Sequence, residues 1–255
     1  MAAVTSGSGD PVRTLALLWR TKDAPSRGPK PGLSVDAIVS AAIQLADTEG
    51  LGALSMRKVA DKLGVGTMSL YTYVPAKAEL IDCMVDTVST ETERPEHTGG
   101  WRARLEQVAR QNWDLYHRHP WLLQVVMSRP VIGPGVIAKW DYELRAIDGL
   151  GLDEVEMDGV LNVVLAHVEG AARAKLQTEQ TERDSGMTLD QWWAASAPVL
   201  ERVMDESAFP VASRVGSVTG EKYASAYPPD HGFAFGLERV LDGVAVLVEA
   251  RSASA

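Results

Sequence analysis

The 255-residue sequence predicts an all-α fold. Apolar residues recur three and four positions apart along most of the chain, which is the period of a helix. Serines stand where helix caps belong and glycines close the runs. No stretch alternates apolar and polar residues between turn signals, so strands are not expected. The expected order is a flexible basic arm (1–32), a three-helix head (33–82) and a longer helical body (83–255).

Each element has its own signal. Residues 1–10 are small and polar and read as disordered, and Leu15 to Trp19 make one or two helical turns at most. Arg20 to Gly32 cannot be helical, because Pro25, Pro29 and Pro31 interrupt it. Ser34 caps the next helix, with Ile38, Ala41, Ala42, Leu45 and Ala46 inward and Gly50 as its stop. Ser55 caps a second helix that turns Met56, Val59, Ala60 and Leu63 inward. After a turn at Gly64-Val65, Leu70 and Val74 anchor a third helix over about Gly66 to Val74. A fourth starts at Pro75 and buries Leu80, Ile81, Met84, Val85 and Val88. In the body, helices are expected over 101–118, 133–149, 153–180, 188–205 and 232–250, with a mobile polar loop over 213–231.

Composition narrows the class. Apolar content of 45% and charged content of 23% belong to an ordinary globular protein. No apolar run approaches the ~20 residues that span a bilayer, and the N-terminus lacks the pattern of a signal peptide. The single cysteine, Cys83, excludes an internal disulfide and suits a reducing compartment, so the expected location is cytoplasmic without membrane attachment. The net charge of −9 is unevenly spread: residues 1–82 carry nine Lys/Arg against eight Asp/Glu, and the remainder carries 16 against 26. Residues 11–32 hold five cations against Asp23 alone. A near-neutral head with a basic arm, joined to an acidic body, fits contact with nucleic acid at one end only.

The segment Ser55 to Val74 carries the chemistry. Two short helices about a tight turn form the geometry that presents one helix to the major groove of double-stranded DNA. With Leu70 and Val74 turned inward, Thr67, Met68, Ser69, Tyr71, Thr72 and Tyr73 lie outside the core. Hydroxyls of Thr and Ser suit base edges or phosphates, Thr and Met methyls suit thymine, and Tyr hydroxyls suit phosphate oxygens. Arg57 is placed as a guanine reader or phosphate clamp. Lys77 falls in the first turn of a helix, where the dipole disfavours a cation and an approaching phosphate reverses that penalty. Arg27 and Lys30 are expected to reach phosphates or the minor groove from the arm.

These residues sit in a longer matching pattern. Ala41-Ala42, Ala46-Asp47, Glu49-Gly50 and Leu54-Ser55-Met56-Arg57 are followed in register by Val59-Ala60, Leu63-Gly64-Val65, Leu70-Tyr71, Tyr73-Val74, Lys77 and Glu79-Leu80. Over residues 34–82 the chain resembles the DNA-binding domain of the TetR family of bacterial transcriptional repressors. The resemblance implies a helix-turn-helix DNA-binding head, a helical ligand-binding and dimerisation body, a homodimer on a palindromic operator, and release by a small-molecule effector. Carried over by position, it implies DNA contacts by Arg57, Thr67, Met68, Tyr71, Tyr73 and Lys77. Gly66 departs from the Ser or Thr often found at the cap of the reading helix.

The body resembles the tetracycline-repressor branch more weakly, through Trp101, His119-Pro120, Ser128-Arg129-Pro130 and the helix around His167 and Gly170. The resemblance implies a four-helix dimer seam built from about 153–180 and 232–250 of two subunits. Trp113, Tyr116, Trp121, Met127 and Trp140, with Gln124, Ser128, His167 and Glu169 as polar contacts, are the candidate lining of a pocket for an apolar or aromatic molecule. Trp192 and Trp193 belong to the same aromatic group. Tetracycline held through magnesium is not supported, because Val125 stands where that branch places a metal-binding histidine. No phosphate loop or nucleophile elbow is present, and His117 and His119 are spaced to face different sides of a helix. No enzyme activity, cofactor or metal is expected. The competing reading is a helical small-molecule-binding or adaptor protein without operator binding.

Overall fold

The computed structural model describes residues 4–6, 9–21, 33–127, 129–225 and 229–253. The head is built from α2 (Val35–Glu49), α3 (Met56–Leu63) and α4 (Thr67–Tyr71). Ser34 Oγ accepts the Ala37 amide at 3.1 Å and Ser55 Oγ accepts the Lys58 amide at 3.2 Å, so both expected caps form. Gly64 stops α3 in the left-handed region (φ 66°), where a side chain would be strained. The reading helix is shorter than the expected Gly66 to Val74. The chain leaves it after Tyr71, and Val74 precedes Pro75, a position that disfavours helical backbone. Leu70 and Val74 are nonetheless fully buried beside Ile38, Val39 and Val59.

α5 (Lys77–Ser89) leads out of the head and into the body. It runs through the expected boundary between residues 82 and 83. Leu80, Ile81, Met84 and Val88 join the head core, which continues into Leu115, Trp121, Val125 and Val131 of the body. A second core is formed where α6 (Trp101–Arg118), α8 (Glu154–Ser185) and α11 (Pro229–Ser252) meet around Val108, Leu161, Val164, Val168, Leu237 and Leu241. α7 (Pro134–Leu144) packs on α5, and α9 (Leu189–Val203) and α10 (Pro210–Tyr223) follow α8, with Gly220 of α10 against the Trp193 ring of α9.

Three expectations need correction. Residues 213–231 are not a loop throughout, because α10 occupies most of them. Its buried positions are Ser213 and Gly220, the latter against the Trp193 ring, so no apolar period marked it. The arm is not uniformly flexible: α1 (Pro11–Leu18), capped by Asp10, packs on α5 and buries Leu18 in the head core. A strand does exist, though only three residues long: β1 (Val4–Ser6) pairs in parallel with β2 (Val125–Met127). Three residues are too few to show an alternation.

Candidate nucleic-acid interface and ligand cavity

At the tip of the head, α4 buries Leu70 and leaves Met68 78% exposed, with Ser69, Tyr71 and Thr72 open beside it. Thr67 is half-buried, and so is Tyr73, whose ring packs against the head core. Arg57 projects from α3 with its side chain 86% exposed and only a loose approach to Asp61, 3.9 Å away. Lys58 is spent on Glu49 at 2.6 Å, which leaves Arg57 as the freer cation of that turn. Lys77 is the first residue of α5, behind Ala76, which offers no side-chain cap to the open amides. Partial burial lowers the Lys77 pKa, so desolvation disfavours its charged form at this position. Arg27 and Lys30 lie outside the described residues.

Behind the head, a cavity of about 630 Å³ opens between α5, α6, α7 and α8. Its walls are mainly apolar, and Tyr116, Trp140 and Glu169 of the expected set line it. Burial, aided by the Glu169 and Glu143 charges, raises the Tyr116 pKa and keeps its hydroxyl protonated. One corner is polar. Lys139 Nζ donates to Glu143 Oε1 at 2.5 Å and to Asn112 Oδ1 at 2.7 Å, while Asn112 Nδ2 donates to Glu143 Oε1 at 2.6 Å. That cluster was not expected from the sequence. Its members come from two helices, and only Lys139 and Glu143 share an i, i+4 spacing, which is common on any solvated helix.

Four expected pocket residues are placed elsewhere. The Trp113 ring packs at a tilt against Phe233, centroids 4.2 Å apart, and His167 Nε2 faces the Phe233 carbonyl at 2.9 Å, so both belong to the α6–α8–α11 packing. Gln124 is exposed and is not part of the lining. Trp121 is buried at the joint between head and body, its Nε1 donating to Asp47 Oδ1 of α2 at 2.8 Å. The Met127 side chain and Ser128 lie outside the described residues. The same joint holds His119, whose Nδ1 faces Asp47 at 2.8 Å and whose Nε2 faces Glu91 at 2.9 Å.

The cavity rim is tied to α5. Asp86 Oδ1 accepts the Val136 amide at 2.9 Å, and a Cβ at Gly133 or Gly135 would collide with Asp86. Burial raises the Asp86 pKa, and its bonds to the Val136 and Gly135 amides oppose that shift. Among the described residues, no helix is long and apolar enough to cross a membrane, and no group of three or more His, Cys, Asp and Glu could hold a metal ion.

A head that exposes a short helix behind a left-handed turn, set on a helical body with an apolar cavity, defines a helix-turn-helix regulator with a ligand-sized chamber. Comparison with known proteins agrees. Residues 38–84 match the family model described as bacterial regulatory proteins, tetR family, and residues 94–248 match the tetracyclin repressor-like C-terminal domain. The chain is 48% identical over 249 residues to the HTH-type transcriptional repressor DrrR1 of Streptomyces coeruleorubidus, covering 97% of this chain and 90% of that protein. Among solved structures it resembles ActR of Streptomyces coelicolor in complex with actinorhodin (TM-score 0.71, 25% identity, 84% of this chain and 96% of that one). It also shares its fold with apo ActR (TM-score 0.70, 24% identity, 89% and 100% covered). The chain belongs to the TetR family of bacterial regulatory proteins, and is a DNA-binding transcriptional regulator.

Proposed function

We propose that the chain is a homodimeric repressor of a palindromic operator, released when a small apolar or aromatic effector fills the cavity between α5, α6, α7 and α8. The observation that carries this reading is the course of α5. Lys77 stands at its DNA end, and Val85 and Ser89 line the cavity two to three turns later. Those positions lie about 12 and 18 Å from Lys77 along a rigid helix, so a ligand that displaces the cavity wall displaces Lys77 with it. Of the contacts expected with DNA, Arg57, Met68, Ser69, Tyr71 and Thr72 have the exposure to read or clamp it. Thr67, Tyr73 and Lys77 flank them as half-buried supports, and Arg27 and Lys30 add arm contacts.

The cavity supports an effector of moderate size, since pockets for such molecules span roughly 300–1,000 Å³. Lys139 has three N–H donors and the two bonds to Glu143 and Asn112 leave one for a ligand acceptor. The likeness to ActR with actinorhodin supports a ligand-bound state of this fold and makes that compound a reasonable first candidate. Exposed apolar residues on α8 and α11, among them Val155, Val163 and Val246, support a dimer seam on that face. Residues 33–82 then act as the reader and 83–255 as the controlling body. The role proposed is regulatory rather than enzymatic.

A mobility-shift assay with the DNA upstream of the chain's own gene tests this. The parent is expected to give a sequence-specific shift that Tyr71→Phe and Lys77→Ala together weaken about tenfold or more, with a shallower salt dependence. If both substitutions leave affinity and salt slope unchanged, the docking face is wrong. No specific shift on that DNA favours an adaptor without an operator.

A further inference from the structure

The N-terminal segment touches four parts of the molecule within seventeen residues. β1 pairs with β2, next to the cavity-lining Val125. α1 lies on α5, with Leu18 in the head core. Directly after it, Trp19 Nε1 donates to the carbonyl of Ile132 at 2.9 Å, and Ile132 lines the cavity. The next residue, Arg20, donates to the carbonyl of Leu17 and, through Nη2, to Asp36 Oδ1 at 2.7 Å, in the first turn of α2. Arg20 is also one of two non-glycine described residues at positive φ (52°). Such backbone is held only where its surroundings fix it, and here the guanidinium bonds do so.

The rim segment 130–137 is therefore gripped by Asp86 of α5, by Arg94, which donates to the Gly135 carbonyl, and by Trp19. The Trp19 grip leads to the start of the head's first helix through two consecutive residues and a left-handed turn, a route separate from the packing of α5 on α2. We infer that α1 with Trp19 and Arg20 is a strap that couples the cavity rim to α2. Trp19 positions Ile132 and its neighbours against a ligand, and Arg20 passes displacement of that rim to the head. The inference rests on the reading of the cavity as the effector site. It assigns to residues 9–21 a part in the response as well as in the core.

Amide hydrogen exchange on the full-length protein, without ligand or DNA, tests the coupling. Trp19→Phe keeps an aromatic ring and removes the donor to Ile132; Arg20→Gln removes the tie to Asp36. The strap predicts that Trp19→Phe speeds exchange about threefold or more at the rim (131–137) and also at Ala37 to Ala41 of α2, and that Arg20→Gln does the same in reverse, with α8 and α11 unchanged. Loosening confined to each residue's own neighbour overturns the coupling. A uniform rise across the chain overturns it too, by reducing the segment to a general stabiliser. Because the assay needs no effector, coupling present in a protein that binds no aromatic ligand would leave the strap standing and remove the cavity reading instead.

Discussion

Lys139→Met is the most informative single change in the cavity. It leaves the Glu143 carboxylate, 3% exposed, with the Asn112 amide as its remaining neighbour in the cluster. Removing one member of a buried ion pair costs about 3–5 kcal/mol, because the other charge stays desolvated. The Lys139 side chain is 12% exposed toward the cavity, so some water reaches the site and the lower end, about 3 kcal/mol, is expected. For a chain of this length that is a fall of roughly 6–12 °C in Tm. Replacing both residues, Lys139→Met with Glu143→Met, removes the desolvation cost along with the attraction, and should return stability to within about 1 kcal/mol of the parent. Urea unfolding followed by circular dichroism, at one fixed protein concentration, measures the cycle. If each single change costs under about 1 kcal/mol, or the double change costs the sum of the singles, the cluster is solvated and unfit to select a ligand.

Further outcomes follow from named contacts. Gly64→Ala meets nothing within 4 Å, so its cost is the left-handed backbone alone, about 1–2 kcal/mol by urea unfolding; a larger loss contradicts the open turn. Asp47→Ala strips the shared acceptor from His119 Nδ1 and Trp121 Nε1, and should cost roughly 2–4 kcal/mol in the same assay. A loss under about 0.5 kcal/mol would show that the joint is wet. Burial pushes the Cys83 thiol up to about 12, so the thiolate is scarce at pH 8. Ellman's reagent should leave the native protein unreacted at that pH and modify it fully in guanidinium; rapid native reaction contradicts the burial.

The head was legible because its signals are local. Ser34, Ser55 and Gly64 each specify a cap or stop from within four residues, and Leu70 fixes the exposed face of α4, though not the early end that leaves Val74 outside it. The body was legible as helices and much less so as a site. Trp121, Trp113 and His167 look like pocket residues in a list of aromatics. Where they go is decided by partners far along the chain, namely Asp47 and Phe233. The Asn112–Lys139–Glu143 cluster has the same difficulty, since its members are unremarkable until α6 and α7 are packed together. α10 escaped because small residues form its buried face. The N-terminal strap escaped because a single indole donor and one arginine, each bonded across the fold, carry no periodic mark.

The most direct test of the account is a hydroxyl-radical footprint of the full-length protein on the DNA upstream of its own gene, with and without an aromatic ligand that binds the cavity. The account predicts two protected half-sites related by a dyad, their centres about one helical turn (10–10.5 base pairs) apart or a multiple of it, and loss of both together when a ligand that binds the cavity is added. Protection of one isolated half-site, or uniform protection that vanishes with salt alone, would contradict it.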